Sequence, residues 1–381
     1  MLKQQKIFFD FLRFCIGSAK EIPGSLKEAD WKELYAIAQK QALLGVLFDG
    51  IKRLPKELAP EQKLLMQWMV MAEQIRKQNI RLFLYSVKVC QNFENEGFAN
   101  CILKGQGNAL LYPDPYMRTP GDIDIYLAGG RKRVMQYINK VCPNQVMRYH
   151  HVDFPVMKTA IEVHFTPSYM FFPIHNSRMQ KWFKEVMGEQ CNHRVSLPDG
   201  YGEIHVPHVS FNVIYILSHL YRHIFTEGIG LRQLLDYYFV LVKWHTDLTN
   251  LTDSYKSLPQ MTQINTDLDA LRHELKYLGL WKFAGAVMFV MKEVFGLSED
   301  RMIAPMDERE GRFLLDEIMR GGNFGQYDDR MGSKVGEIKI HRYFRMNLRN
   351  LRFVKHYPTE ALSEPLFRTW FAVWKKIHGI K

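Results

Sequence analysis

The strongest restriction on the fold comes from residues 121–127, which read GDIDIYL. Acids alternate with isoleucines there, and in a β-strand successive side chains point to opposite faces of the sheet. Asp122 and Asp124 would therefore share one face, while Ile123 and Ile125 enter a core on the other. Two neighbouring carboxylates repel each other unless a cation lies between them, and Mg²⁺ prefers oxygen ligands. The stretch predicts a strand that carries a divalent-metal site.

A third acid occurs in a similar setting further along the chain. Glu162 is flanked by Ile161 and Val163, so it is predicted to leave a strand on the face opposite its apolar neighbours. His164, two residues later, shares that face. Three roles stay open for His164: it orients Glu162, binds substrate or caps the sheet.

A glycine-containing turn precedes the acid pair. Residues 104–107 read KGQG and follow a short apolar run at 101–103. A turn of this kind between a strand and a helix can offer backbone N–H groups to phosphate, and Lys104 adds a mobile positive charge. Plainer interpretations exist as well: the acid pair is solvated, Lys104 is exposed and idle, or Arg118 pairs with Asp114 or Asp122.

Taken in order, these segments resemble the nucleotidyltransferase superfamily that shares the DNA polymerase β-like catalytic core, and above all its bacterial subgroup of uncharacterised nucleotidyltransferases. The similarity covers about residues 30 to 245. It is carried by Leu103-Lys104-Gly105, Leu111-Tyr112-Pro113, Arg118, Asp122-Ile123-Asp124, Glu162-Val163-His164 and a later pattern of His219, His223, Arg232 and Asp236. One departure is that the superfamily has Gly-Gly or Gly-Ser after its first strand, whereas Gly105-Gln106 stands here.

The resemblance implies an enzyme that depends on Mg²⁺, with one or two ions bound and Mn²⁺ able to substitute. It would transfer a nucleoside monophosphate from a nucleoside triphosphate to a hydroxyl or phosphate acceptor and release pyrophosphate. A small molecule or a protein side chain is the expected acceptor. The implied catalytic and metal-binding residues are Asp122, Asp124 and Glu162, and the implied phosphate- or substrate-binding residues are Lys104, Gly105, Gln106, Arg118 and His164.

Four residues of the later pattern are candidates for supporting this site from a neighbouring helix. His219 and His223 stand four apart, as in a zinc-binding pair, but no third ligand is apparent. We therefore expect them to pack a helical domain against the acid site. Asp236 follows Arg232 by four residues, which favours an intrahelical ion pair.

The apolar periodicity predicts an α+β protein. The resemblance implies a nucleotidyltransferase core with a small mixed β-sheet, flanked by N-terminal helices and a C-terminal helical domain. The expected segments are an N-terminal helical segment at 1–97, the catalytic core at 98–208 and the helical domain at 209–381. Within them we expect a long helix at 60–95, strands at 100–103, 122–127, 146–151 and 160–165, and helices at 106–111 and 131–141.

Charge and cysteine content narrow the setting of the protein. The formal net charge is +11, and the basic excess is concentrated from Lys334 to Lys381, a tail that is also aromatic. This tail is expected either to contact an anionic surface or to be a solvated helix face. The five cysteines are scattered and odd in number, which argues against a disulfide framework or a cysteine zinc site. No apolar window is long enough to span a bilayer, and a cytoplasmic location is expected.

A second function stays open. The altered turn at Gly105-Gln106 is compatible with a catalytically inactive module of the same fold that binds a nucleotide or a protein.

Overall fold

A computed structural model describes residues 2–254, 260–330 and 339–379 of the chain. These residues form an α+β fold with a four-stranded mixed sheet and a separate two-stranded sheet, and helices lie at both ends of the chain. The predicted fold class is therefore confirmed. None of the helices in these three ranges combines the length and the apolar character needed to cross a bilayer.

The secondary structure of the described residues follows the chain in this order. The helices are α1 (Lys3–Cys15), α2 (Trp31–Lys40), α3 (Leu44–Ile51), α4 (Gln62–Asn95), α5 (Gln106–Ala109), α6 (Gly130–Val141), α7 (Pro173–Gln190), α8 (Val209–Thr226), α9 (Leu231–Ser254), α10 (Gln260–Tyr277), α11 (Trp281–Phe295), α12 (Glu308–Gly321), α13 (Lys339–Val354) and α14 (Pro358–Ile377). The strands are β1 (Asn100–Ile102), β2 (Ile123–Leu127), β3 (His151–Asp153), β4 (Ile161–His164), β5 (Arg194–Ser196) and β6 (Glu203–His205).

Contacts divide the described residues into two units. The first contains residues 2–79, 109–119, 227–254 and 260–330, and the second contains residues 80–108, 120–226 and 339–379. The division into segments 1–97, 98–208 and 209–381 stays a prediction. Residues 334–338 and 380–381 of the basic tail lie outside the described residues.

The first unit is helical and has a tryptophan at its centre. Trp68 of α4 is fully buried, and its indole N–H donates to the carbonyl of Leu44 at 2.8 Å. The rings of Trp31 and Tyr35 contact Trp68 edge-on. Gly45 lies against the backbone of Met117 so closely that an added Cβ would come within 2.3 Å of its carbonyl oxygen, which explains why a glycine is needed there.

The second unit is organised around the mixed sheet, whose strand order is β1-β2-β4-β3. Strands β2 and β4 are parallel, and the two outer pairs are antiparallel. Ile102, Ile125, Val163 and Val152 are opposite one another across the four strands, and all are fully buried. This apolar row is the core face that the alternation predicts, so the polar residues between these positions occupy the opposite face.

One strand lies further along the chain than expected. The prediction at 146–151 was wrong, because β3 begins at His151. The backbone N–H of Arg148 donates to the carbonyl of His151, and Met147 forms an isolated bridge with Val152. Residues 147–152 thus form a tight hairpin, so only its second arm pairs with β4.

Candidate active site

Strand register brings the acids together on the polar face of the sheet. Asp124 of β2 is opposite Glu162 of β4, and Glu162 is in turn opposite Asp153 of β3. One step along, His164 is opposite His151. Because directly opposed residues share a face, all five side chains leave the sheet on the same side. The expected proximity of Asp124 and Glu162 therefore arises from the parallel pairing of β2 and β4.

Asp124 is the buried centre of the cluster, with 1% of its surface exposed. Lys104 Nζ donates to its Oδ1 at 3.1 Å, and His164 Nε2 lies 3.0 Å from the same oxygen. Burial would raise the pKa of Asp124, but Lys104 and His164 outweigh it, and the net shift is downward. Asp124 is therefore a carboxylate at neutral pH.

Asp122 immediately precedes β2 and is half-buried. The charge of Asp124 and, second, burial raise the pKa of Asp122 to about 6, against the opposing effect of Lys104. Carboxylate repulsion of this kind is relieved by a cation.

Glu162 lies on the more open side of the cluster, with its side chain 28% exposed. Its Oε2 is 3.3 Å from His151 Nδ1 and 3.6 Å from His164 Nε2. Burial raises the pKa of Glu162, yet the hydrogen bond from His164 and the charge of His151 produce a net lowering. Burial lowers the pKa of His164, but its hydrogen bonds to Asp124 and Glu162 outweigh burial and raise the pKa overall.

The residues of this cluster fit a divalent metal ion. Ligand atoms of Asp124, Glu162 and His164 lie within 4.8 Å of one another, and so do those of His151, Asp153 and Glu162. The carboxylates supply the oxygen ligands that Mg²⁺ and Mn²⁺ take, and the imidazole nitrogens suit Mn²⁺. Asp122 is in neither set, so among the described residues its link to the cluster is the electrostatic coupling to Asp124.

The glycine turn lies directly beside the acids. Gly105 has φ +66°, a left-handed conformation, and it separates Lys104 from the start of α5 at Gln106. Gln106 is fully buried, and Gly105 beside it is buried as well.

This conformation leads to a prediction about stability. Gly105→Ala should cost about 1–2 kcal/mol, the penalty for a residue with a Cβ in the left-handed region. An added Cβ would lie 3.5 Å from the carbonyl oxygen of Asp122, an ordinary contact, so the cost is conformational. Gly121→Ala is the matched control, because nothing lies within 4 Å of its Cβ and its φ is not positive. Urea denaturation should show a lower free energy of unfolding only for Gly105→Ala. Equal losses in the two variants would contradict the left-handed conformation at Gly105.

Helix α8 lies next to the lysine of this site. Lys104 Nζ is 3.0 Å from His219 Nε2, and Arg222 Nη2 lies 2.9 Å from His223 Nε2. Burial, followed by the charge of Lys104, places the pKa of His219 well below its usual value. The rings of His219 and His223 are 4.3 Å apart, but no group of three metal ligands in the described ranges includes them. The expected role of these histidines in packing a helical domain against the acid site stays a prediction.

Arg118 and Asp236 form a buried pair within the first unit. Arg118 Nε and Nη2 donate to the two carboxylate oxygens at 2.8 Å each, and Tyr112 O–H donates to Oδ1 at 2.6 Å. Burial raises the pKa of Asp236, but Arg118 and Arg232 lower it overall. Arg232 also donates to the carbonyl of Thr119. Arg118 thus has a carboxylate partner other than the two considered from the sequence.

Several residues of the polar face were missed by sequence reasoning. Sequence spacing gives His150 and His151 no role beyond that of strand or loop residues, yet their rings lie within 5.1 Å of the His164 ring. Tyr169 contacts His150, and its ring is covered by the guanidinium of Arg222. The sequence signal for this arrangement is the alternation of His151 and Asp153 around Val152. The strand predicted at 146–151 ends at His151 and therefore does not include this alternation.

Comparison with known proteins agrees with this geometry. A protein family described as uncharacterised nucleotidyltransferase matches residues 27–296. Searches among curated proteins and among solved structures found no match. Because the family match covers well over half of the chain, the chain belongs to this family of nucleotidyltransferases, enzymes that transfer phosphorus-containing groups from nucleoside triphosphates.

Proposed function

We propose that the protein transfers a nucleoside monophosphate from a nucleoside triphosphate to an acceptor hydroxyl or phosphate and releases pyrophosphate. The observation that carries the proposal is the parallel register of Asp124 with Glu162, with Asp122 just before the same strand. In this proposal Asp122, Asp124 and Glu162 hold one or two Mg²⁺ ions, for which Mn²⁺ can substitute. When bound, Mg²⁺ would neutralise the charge of the triphosphate and of the leaving pyrophosphate.

Two roles for Glu162 follow from its position. Its side chain is 28% exposed, against 1% for Asp124, and its lowered pKa keeps it ionised at neutral pH. It can therefore accept the proton of an acceptor hydroxyl, or contribute an oxygen ligand on the acceptor side. His151 and His164 both lie near the same oxygen of this carboxylate, Oε2, and would help to orient it.

Lys104 is the proposed partner of the triphosphate in the second unit. Its ammonium group lies at Asp124 and its side chain is 19% exposed, so it can exchange this contact for a phosphate oxygen at the same place. The backbone N–H groups of Gly105 and Gln106 would add uncharged donors. Arg118 is also proposed as a phosphate ligand. To bind a phosphate, it would have to give up its two hydrogen bonds to Asp236.

Replacing Lys104 tests this role. Lys104→Gln should lower kcat/KM for the triphosphate by about 10–1000-fold, because a charged donor near the developing negative charge is lost. Lys132→Gln, an exposed lysine of α6, is the control and should behave like the wild type. Steady-state pyrophosphate release, measured at varied triphosphate concentration, gives kcat/KM for each of the two variants. Equal kcat/KM for the two variants would show that Lys104 does not contact the triphosphate.

The direct test of the reaction is a pyrophosphate-release screen. The four nucleoside triphosphates are supplied with Mg²⁺ or Mn²⁺ and with small-molecule or protein acceptors. We expect release that depends on the metal and on one acceptor class. Tight triphosphate binding by calorimetry with no release under any combination would instead support the binding-module alternative, for which the Gly105-Gln106 turn is the motivating observation.

The basic C-terminal tail supports a separate proposal, contact with an anionic surface. In the described part of this tail, α13 and α14 carry the excess of arginine and lysine.

A further inference from the structure

A groove of about 550 Å³ runs along α7 and α14 in the second unit. Its walls are mainly aromatic and aliphatic, formed by Tyr149, Phe171, Pro173, Leu366, Phe367 and Trp370. Its volume and apolar lining are in the range of sites that take small organic groups. The nucleotidyl transfer proposed above uses none of these residues.

The two amide side chains at this groove are engaged in hydrogen bonds within the protein. Asn176 accepts from the backbone N–H of Met170 and donates to the hydroxyl of Tyr149. Gln180 donates to the carbonyl of Ser168 and accepts from Thr166. Because these amides are engaged, the remaining polar side chains in the lining are the small hydroxyls of Ser177 and Ser363, and rings and methylenes make up most of the surface. Its lining fits an alkyl chain.

An exposed apolar stripe continues from the groove along α14. Its members are spaced by three or four residues and therefore lie on one face of the helix. They are between 51% and 75% exposed: Leu362, Leu366, Trp370, Val373 and Ile377. Leu366 and Trp370 also line the groove, so the stripe and the groove form one surface, which we call the α14 surface.

The accessible charged side chains of α14 itself are positive. The two acids of α14, Glu360 and Glu364, are each 1% exposed. Glu360 accepts from the backbone N–H groups of Phe171 and Phe172, and Glu364 pairs with Arg368. Of the two lysines of α14, Lys375 is half-buried and Lys376 is exposed, and Lys355, three residues before the helix, is exposed. The solvent-accessible charge of α14 is therefore positive.

We propose that the α14 surface binds an anionic phospholipid bilayer. The stripe would enter the boundary between headgroups and acyl chains, the lysines would contact lipid phosphates, and the groove would take an alkyl chain. Apolar residues including tryptophan on one face, with lysines beside them, are the features that place a helix on a membrane surface. A second copy of this chain fits less well as the occupant, since it would bring two positive surfaces together. The inference is independent of the transfer reaction.

Vesicle binding in the absence of nucleotide tests this inference. The full chain is sedimented with vesicles of phosphatidylcholine alone or of phosphatidylcholine with phosphatidylglycerol, over a series of NaCl concentrations. We expect binding to the anionic vesicles only, weakening as salt rises. The combined variant Leu366→Gln, Val373→Gln and Ile377→Gln should bind at least about tenfold more weakly.

A matched control and a second variant make the test decisive. Met66→Gln, Met69→Gln and Val70→Gln also remove three exposed apolar side chains, from α4, and should bind like the wild type. Lys376→Glu keeps the stripe intact and should weaken binding to anionic vesicles. Binding that is unchanged by both α14 variants, or that ignores phosphatidylglycerol, would overturn the proposal. So would a dimer, seen by sedimentation velocity, that the α14 substitutions dissociate.

Discussion

Asp122→Asn is expected to abolish turnover while making the metal-free protein more stable. Turnover should fall by at least about 10³-fold, because the neutral amide of an asparagine cannot supply the negative charge that holds the metal ion of the bound triphosphate. The gain in stability follows from the electrostatics of the cluster. The charge of Asp124 and burial raise the pKa of Asp122 to about 6, so the ionised form is unfavourable in the folded protein.

The sign of the pH dependence follows from this shift. Between the ordinary pKa of an aspartate and about 6, the folded state of the wild type binds more protons at Asp122 than the unfolded state does. The contribution of Asp122 to stability therefore falls as pH rises through this range. Asp122→Asn should lack this dependence and gain of order 1 kcal/mol at pH 7, a value that allows for solvent screening.

Two measurements on the same variant check these expectations. Pyrophosphate release gives turnover, and urea denaturation with a chelator present gives the free energy of unfolding at pH 5 and pH 7. Glu185→Gln, an exposed acid of α7 in the same unit, is the control and should alter neither. Near-wild-type turnover of Asp122→Asn would count decisively against a catalytic role for this carboxylate.

The second large effect concerns stability of the first unit. Arg118→Ala should destabilise the protein by about 3–5 kcal/mol, because it leaves Asp236 buried without its bidentate partner. Both side chains are almost inaccessible to solvent, at 3% and 8% exposed. The double variant Arg118→Met with Asp236→Leu removes both charges and should recover much of the loss.

The pH dependence of stability gives a second, independent prediction for this pair. Against the effect of burial, Arg118 lowers the pKa of Asp236 in the folded protein. The resulting stabilisation is present above the pKa of the unfolded state and is lost as pH falls through the folded value. Urea denaturation at decreasing pH should show this loss in the wild type and less of it in Arg118→Ala. A difference between the two proteins of under about 1 kcal/mol at pH 7 would show that the pair is not a structural link.

Local patterns explain which parts of the site were predictable. The alternation at Asp122, Ile123, Asp124 and Ile125 defines both the strand and its buried face, since a strand has a strict period of two. The acid of a second such strand can then be expected on the same face, and β4 places Glu162 there. The fold class followed from these strands and from the long apolar periodicity of the surrounding helices.

Other parts of the site have no local pattern. The partner of Arg118 is 118 positions away, and spacing cannot identify a carboxylate at that distance. His151 joins the cluster only because a hairpin at 147–152 sets the register of β3 against β4. The contact of His219 with Lys104 likewise depends on where α8 packs.

A crystal structure with Mn²⁺ and a non-hydrolysable nucleoside triphosphate would test the central claim most directly. The account predicts an anomalous peak in contact with carboxylate oxygens of Asp122 and Asp124, with triphosphate oxygens on the same ion and Glu162 facing the α-phosphate. A nucleotide and ion bound away from these three acids would contradict it.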